Sequence, residues 1–215
     1  MNPFSRLMDP NLLLYLPGLL IGLSVHEFAH AWVAYYYGDS TGKMMGRVTL
    51  NPVAHIDPIG LICLLTVGFG WGKPVPVNSR FFRKPREASI AVSMAGIAAN
   101  LIVILITAVL YGLLMRIAPM LLRGAPGTII AGIIMYNAGL AVFNLLPLPP
   151  LDGSKALTML LPYDLARSFA NLSDQVGMMI LMVLSFTGML GAIISPAIRA
   201  VTSFAMGIAT FIMFL

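Results

Sequence analysis

The chain has 215 residues, of which 59% are hydrophobic and 10% charged. Soluble domains carry about 25% charged residues, so this composition excludes a soluble enzyme and indicates a polytopic membrane protein with room for little beyond one membrane domain. The net charge of +5 would imply a nucleic-acid partner only if a soluble module gathered the basic residues. None is legible, so no nucleic acid is expected and the basic residues are read as markers of topology.

Met1 to Pro10 is a short polar leader. Leu12 to Tyr37 is an apolar run in which Glu27 is the only charged side chain. A bilayer needs about 20 apolar residues, so this run is the first expected span, ended by Gly38-Asp39. Leu12 to Leu23 followed by Ala29-His30-Ala31 resembles a signal peptide and its cleavage site. The leader is only weakly basic, however, and an uncleaved span is expected. Gly18 and Gly22, four apart, are a helix-packing signal.

Ser40 to Pro58 is polar and turn-rich, and Gly46-Arg47-Val48-Thr49-Leu50 reads as a short strand closed by Asn51-Pro52. Ile59 to Trp71 is apolar but too short for an upright span, and is expected to be re-entrant or interfacial. Its single cysteine, Cys63, is the only one in the chain, so neither an intrachain disulfide nor a cysteine metal site can form. Lys73 to Asn78 reads as an extended edge, its prolines unable to donate to a ladder. A basic cluster follows at Arg80, Arg83, Lys84 and Arg86.

Ala88 to Met115 is an uncharged span. Asn100 within it is expected to hydrogen-bond a neighbouring helix. Arg116 to Gly127 connects to a span from Thr128 to Leu146, which runs on through Pro147-Leu148-Pro149-Pro150-Leu151 to Asp152-Gly153. Lys155 to Asp174 is polar. Gln175 to Ile198 reads as a span, and Ala200 to Leu215 as a short span or interfacial helix. The expected fold is therefore an all-α polytopic membrane protein of about four to six transmembrane helices, with short strands between residues 38 and 87. One domain, 1–215, is expected, with core spans 12–37, 88–115 and 128–151 and accessory segments 175–198 and 200–215.

Charge sets the expected orientation. Lys43, Arg47, Lys73, Arg80, Arg83, Lys84, Arg86, Lys155 and Arg167 fall on one side, and Arg6, Arg116, Arg123 and Arg199 on the other. Basic residues favour the cytoplasm, which places the N-terminus outside and the 38–87 segment inside. His30 and Asp152 then both lie toward the cytoplasmic face.

His26-Glu27-Phe28-Ala29-His30 has the spacing H-E-x-x-H. On a helix the two histidines fall on one face and can grip one metal ion. Glu27 borders that face and can reach a water on the metal. Charged and polar groups at this depth are expensive, so a functional reading is the default. A catalytic zinc normally takes three protein ligands, so the third is His55, the remaining histidine, or a carboxylate. Asp152 stands out because the Pro-rich break before it bends the backbone in or near the membrane, which is tolerated only where it lines a buried or watery cavity. The alternative is a loop exit with Asp152 as a helix N-cap.

These residues resemble a known family. The His26–His30 motif followed by Asn144-Leu145-Leu146-Pro147-Leu148-Pro149-Pro150-Leu151-Asp152-Gly153, which matches N-x-x-P-x-P-x-L-D-G, is similar to the site-2 proteases, the M50 intramembrane zinc metalloproteases. Gly46 to Gly60 and Gly72 to Asn78 resemble a small prokaryotic branch of that family, and the likeness runs from about Pro17 to Leu160. It departs at Ile97, where relatives usually have Pro.

The resemblance implies one catalytic zinc held by His26, His30 and Asp152. Glu27 would be the general base and then the proton donor to the leaving amine, and Asn144 would bind the substrate backbone or the oxyanion. His55 is left as a group behind the ligands, a substrate contact or a loop histidine making a local bond. The implied activity is cleavage of transmembrane or membrane-proximal segments near the cytoplasmic leaflet of a prokaryotic inner membrane. The implied partners are transmembrane substrates and lipids. No PDZ domain is legible, so substrate selection is expected without one. Two rivals remain, a metal transporter with broken helices and a zinc-binding scaffold that cleaves nothing. Glu27 beside a two-histidine grip favours the protease over both.

Overall fold

The computed structural model describes residues 11–66, 70–170 and 173–215. The leader, with Arg6, and Gly68 lie outside them. Nine α-helices are present among the described residues. They are α1 (Leu12–Tyr36), α2 (Thr41–Met44), α3 (Pro58–Thr66), α4 (Pro85–Ile117), α5 (Ala125–Asn144), α6 (Asp152–Leu160), α7 (Tyr163–Ala170), α8 (Asp174–Phe186) and α9 (Met189–Phe214). Four of them, α1, α4, α5 and α9, are long and apolar enough to cross a membrane. The protein is an all-α polytopic membrane protein.

The three core spans expected from hydropathy correspond to α1, α4 and α5, which pack on one another. Gly18 makes the contact of α1 with α5 close, since a Cβ there would lie 2.5 Å from the Gly132 carbonyl oxygen. The helix-packing glycine of the sequence thus meets a second glycine across the interface. α9 packs along α4 and α5, with Ile104, Ala108, Ile134, Ala138 and Ala205 buried together.

The C-terminal segments are divided differently from expectation. Hydropathy suggests a span over 175–198 and a shorter helix over 200–215. The structure instead has a short α8 of 13 residues and a long α9 of 26 residues. The boundary lies at Thr187-Gly188, where Gly188 adopts a left-handed φ of +76° that an L-residue rarely takes. Arg199 reads as a boundary because charge is costly in a bilayer. It is an exposed residue inside α9.

The expected strands are also absent among the described residues, where the only β-pairing is an isolated antiparallel bridge between Ile56 and Gly72. The backbone around 46–50 has no neighbouring strand and bonds locally: Arg47 N–H donates to the Gly42 carbonyl, and the Thr49 carbonyl is 2.7 Å from His55 Nε2. Lys73 to Asn78 is extended, but three of its donors are committed elsewhere. Lys73 N–H bonds the His55 carbonyl, Val75 N–H bonds the Glu27 carboxylate, and Asn78 N–H bonds Asp39. Pro74 and Pro76 supply no donor. The Ile56–Gly72 bridge also brings the two ends of the α3 segment together. That segment returns to where it began rather than crossing, in line with the re-entrant or interfacial reading.

Candidate active site

The helical spacing of α1 puts His26 and His30 one turn apart on its buried face, their Nε2 atoms 3.0 Å from each other. Asp152 arrives from a different part of the chain. α5 ends at Asn144, the Pro-rich stretch turns the backbone, and Asp152 opens α6. Its Oδ2 lies 3.1 Å from His26 Nε2 and 3.0 Å from His30 Nε2. The carboxylate is thus turned away from the N-cap role, and Leu151 occupies the cap position. Its other oxygen takes an ion pair from Lys155 Nζ at 3.2 Å.

This triangle of one oxygen and two nitrogens tests whether a metal fits. Bonds of about 2.0–2.2 Å in a tetrahedral site put ligand atoms about 3.3 Å apart. The observed separations are slightly shorter, and all three residues are buried. Among the described residues this is the one group of three that could hold a metal. One nitrogen of each histidine is free to serve because the other is engaged. His30 Nδ1 lies 2.7 Å from the Val92 carbonyl oxygen and His26 Nδ1 lies 2.8 Å from Asn100 Oδ1. Both partners are on α4.

Glu27 is beside the triangle, not in it. Its Oε2 accepts a hydrogen bond from Val75 N–H at 3.1 Å, across the extended segment. Glu27, the triangle and Asn144 line a cavity of about 1100 Å³ that extends along α1 past Leu19 and Leu23 to Met135 of α5 and Ile198 of α9. Asn144 donates one amide hydrogen to the Leu140 carbonyl of its own helix at 3.0 Å. His55 stands apart from the metal-ligating group. Its ring is fully buried, with Nε2 2.7 Å from the Thr49 carbonyl oxygen, and it is not in the metal-ligating group.

The model of peptidase family M50 matches residues 121–184, the stretch that holds Asn144 and Asp152. A Bacillus subtilis protein, YwhC, is 41% identical over 85% of this chain and 84% of its own length. The chain belongs to the M50 peptidase family, the site-2 proteases. Rip2 of Mycolicibacterium smegmatis is 34% identical over 81% of this chain and 67% of its own, and Rip2 of Mycobacterium tuberculosis 33% identical over 78% and 64%. All three relatives are named "Putative zinc metalloprotease". No solved structure matches the chain.

Three residues behind this M50 site are not legible as such in the sequence. Asn100 reads only as a helix contact, and Asn137 gives no signal at all. Gly96 gives none either, yet a Cβ there would lie 2.5 Å from His26 Cε1 and Nδ1 and 2.6 Å from His30 Nε2. Gly96→Ala should therefore displace both imidazoles. Overpacking costs about 1–3 kcal/mol, which predicts a fall of one to two decades in zinc affinity, measured by chelator competition. Unchanged affinity would show that the histidines move aside freely.

Proposed function

We propose that the protein is a zinc-dependent intramembrane endopeptidase that hydrolyses peptide bonds in transmembrane or membrane-proximal segments near the cytoplasmic leaflet. The observation that carries this is the buried His26–His30–Asp152 group, whose two histidines share with Glu27 a helix long enough to span, open to a large, mostly apolar cavity. Zinc bound there would polarise the scissile carbonyl and lower the pKa of an attacking water to about 7.

The chain's own residues do the rest. His26, His30 and Asp152 would hold the ion. Glu27 takes the proton of the attacking water and passes it to the leaving amine nitrogen, so the peptide bond breaks to an acid and an amine. Asn144 faces the same cavity and offers its remaining amide hydrogen to the substrate backbone or the oxyanion. A helical substrate hides its peptide bonds and must be unwound. Pro74, Val75 and Val77 line the cavity beside Glu27, and since the Val75 N–H is taken by Glu27, an unwound chain would be held there through its own N–H groups on main-chain carbonyls. The Gly46–Leu50 stretch does not line it. Incubating detergent-purified protein with a generic transmembrane peptide, with and without a zinc chelator, tests the reading. Cleavage that survives complete removal of zinc would refute it.

The cytoplasmic placement rests on the charge asymmetry. His30 sits six residues from the end of α1 at Tyr36, which at 1.5 Å per residue is about 9 Å of helix. In a Cys63→Ala background, a cysteine placed at exposed Ser79 should label from the cytoplasm and one at exposed Gly124 from outside. Labelling of both from one side would remove the orientation.

A further inference from the structure

His30 and His26 are held by different devices. The Val92 carbonyl can only accept, so His30 Nδ1 carries a proton and its Nε2 lone pair faces the site. His26 has no such carbonyl. Its Nδ1 meets an amide, Asn100, which presents either an acceptor or a donor depending on which way it is turned.

Two main-chain carbonyls settle the direction. Asn137 Nδ2 donates to the Ile133 carbonyl of its own helix at 2.8 Å, which leaves Asn137 Oδ1 facing α4. Asn100 Nδ2 lies 2.9 Å from that oxygen and 3.0 Å from the Gly22 carbonyl of α1. Turning Asn100 over would set its oxygen against two others and leave Asn137 Oδ1 without its donor. Both asparagines are fully buried, so no water stands ready to compensate. Asn100 Oδ1 must therefore face His26, and His26 Nδ1 must be the donor.

We propose that Asn137 of α5 is a positioning residue for metal capture: acting through Asn100, it locks His26 with Nδ1 protonated and its Nε2 lone pair aimed into the site. This rests on the reading that His26, His30 and Asp152 hold a metal. It gives α5 a second task besides delivering Asp152, and ties α1, α4 and α5 together at the ligand that lacks a backbone anchor.

The test is a double-variant cycle in zinc affinity, measured by competition with a chromophoric chelator, using Asn100→Leu, Asn137→Leu and the pair. Leucine keeps the volume and removes the amide. Losing a ligand's outer hydrogen-bond partner costs about 10–100-fold in metal affinity. Asn100→Leu should lie in that range and Asn137→Leu near its lower end, about tenfold. Because Asn137 acts through Asn100, the pair should bind no more weakly than Asn100→Leu alone. Independent packing roles would instead multiply the two losses.

A multiplied loss, or an Asn137→Leu affinity equal to wild type, would overturn the relay and leave the metal site standing. A wild-type protein that binds no zinc would overturn the metal reading and the relay with it. A second measurement needs no variant. The wild-type protein, loaded with an NMR-active cadmium isotope and labelled at its three histidines, should show metal coupling to His26 Nε2 and a His26 Nδ1 proton protected from exchange. Coupling to Nδ1, or an unprotected proton, would also overturn the relay.

Discussion

Glu27→Gln should keep its zinc and lose nearly all cleavage. The glutamate is outside the ligand triangle, so the metal does not depend on it. Its carboxylate lines the same cavity as His26, His30 and Asp152, where an attacking water must give up a proton. Glutamine keeps the shape and the oxygen that accepts from Val75 N–H, but cannot take a proton. Loss of general-base catalysis is worth about 10²–10⁴-fold. The fall should lie at the upper end or beyond, since the same group is proposed to return the proton to the leaving amine. Metal content and single-turnover cleavage of a transmembrane peptide would be measured on one preparation. A variant that cleaves at the wild-type rate removes Glu27 from the mechanism. One that loses zinc makes it part of the metal site instead.

Asp152→Ala should lose zinc and activity together, while His55→Ala keeps its zinc. Asp152 supplies one of three converging donor atoms, and its Oδ2 touches both histidines. Removing it leaves two nitrogens on one helix face. The loss should exceed the about 10–100-fold cost of deleting an outer hydrogen-bond partner. His55 sits in a loop with its ring bonded to Thr49 and is not part of the metal-ligating group. Its removal opens a buried space that costs stability, so zinc should be counted per folded protein. Full zinc in Asp152→Ala, with metal lost from His55→Ala, would overturn the ligand assignment and with it the proposed catalytic role of the α1–α6 contact.

Several features are legible in the residue order because they depend on short-range sequence alone. An uninterrupted apolar run of spanning length marks a membrane helix wherever it packs, and α1, α4 and α5 lie within a few residues of the runs that announce them. The His26–His30 spacing fixes one face of one helix. The Pro-rich break before Asp152 is legible for the same reason, since three prolines in four residues end a helix in any context.

The sequence misleads where two local signals compete or where a partner is needed. Arg199 looks like a span boundary because charge is costly in lipid, yet Gly188 ends the preceding helix and the chain carries Arg199 into α9. The stretches around Val48 and Val75 have strand-like composition, but a strand exists only when a second backbone answers its hydrogen bonds. Here Glu27, Asp39 and nearby loop carbonyls answer them instead.

By itself the sequence determined a membrane-embedded α-helical protein with a two-histidine grip, an adjacent glutamate and an aspartate beyond a helix break, because each is a property of residue type and short-range spacing. Tertiary structure alone decided that Asp152 meets both histidines, that His55 does not, that Gly96 leaves room for the imidazoles, and that Asn137 reaches His26 through Asn100. Those contacts join residues 26, 96, 100, 137 and 152 across four helices. Their distances follow from how α1, α4, α5 and α6 pack, and helix packing depends on whole interfaces, which no local spacing encodes.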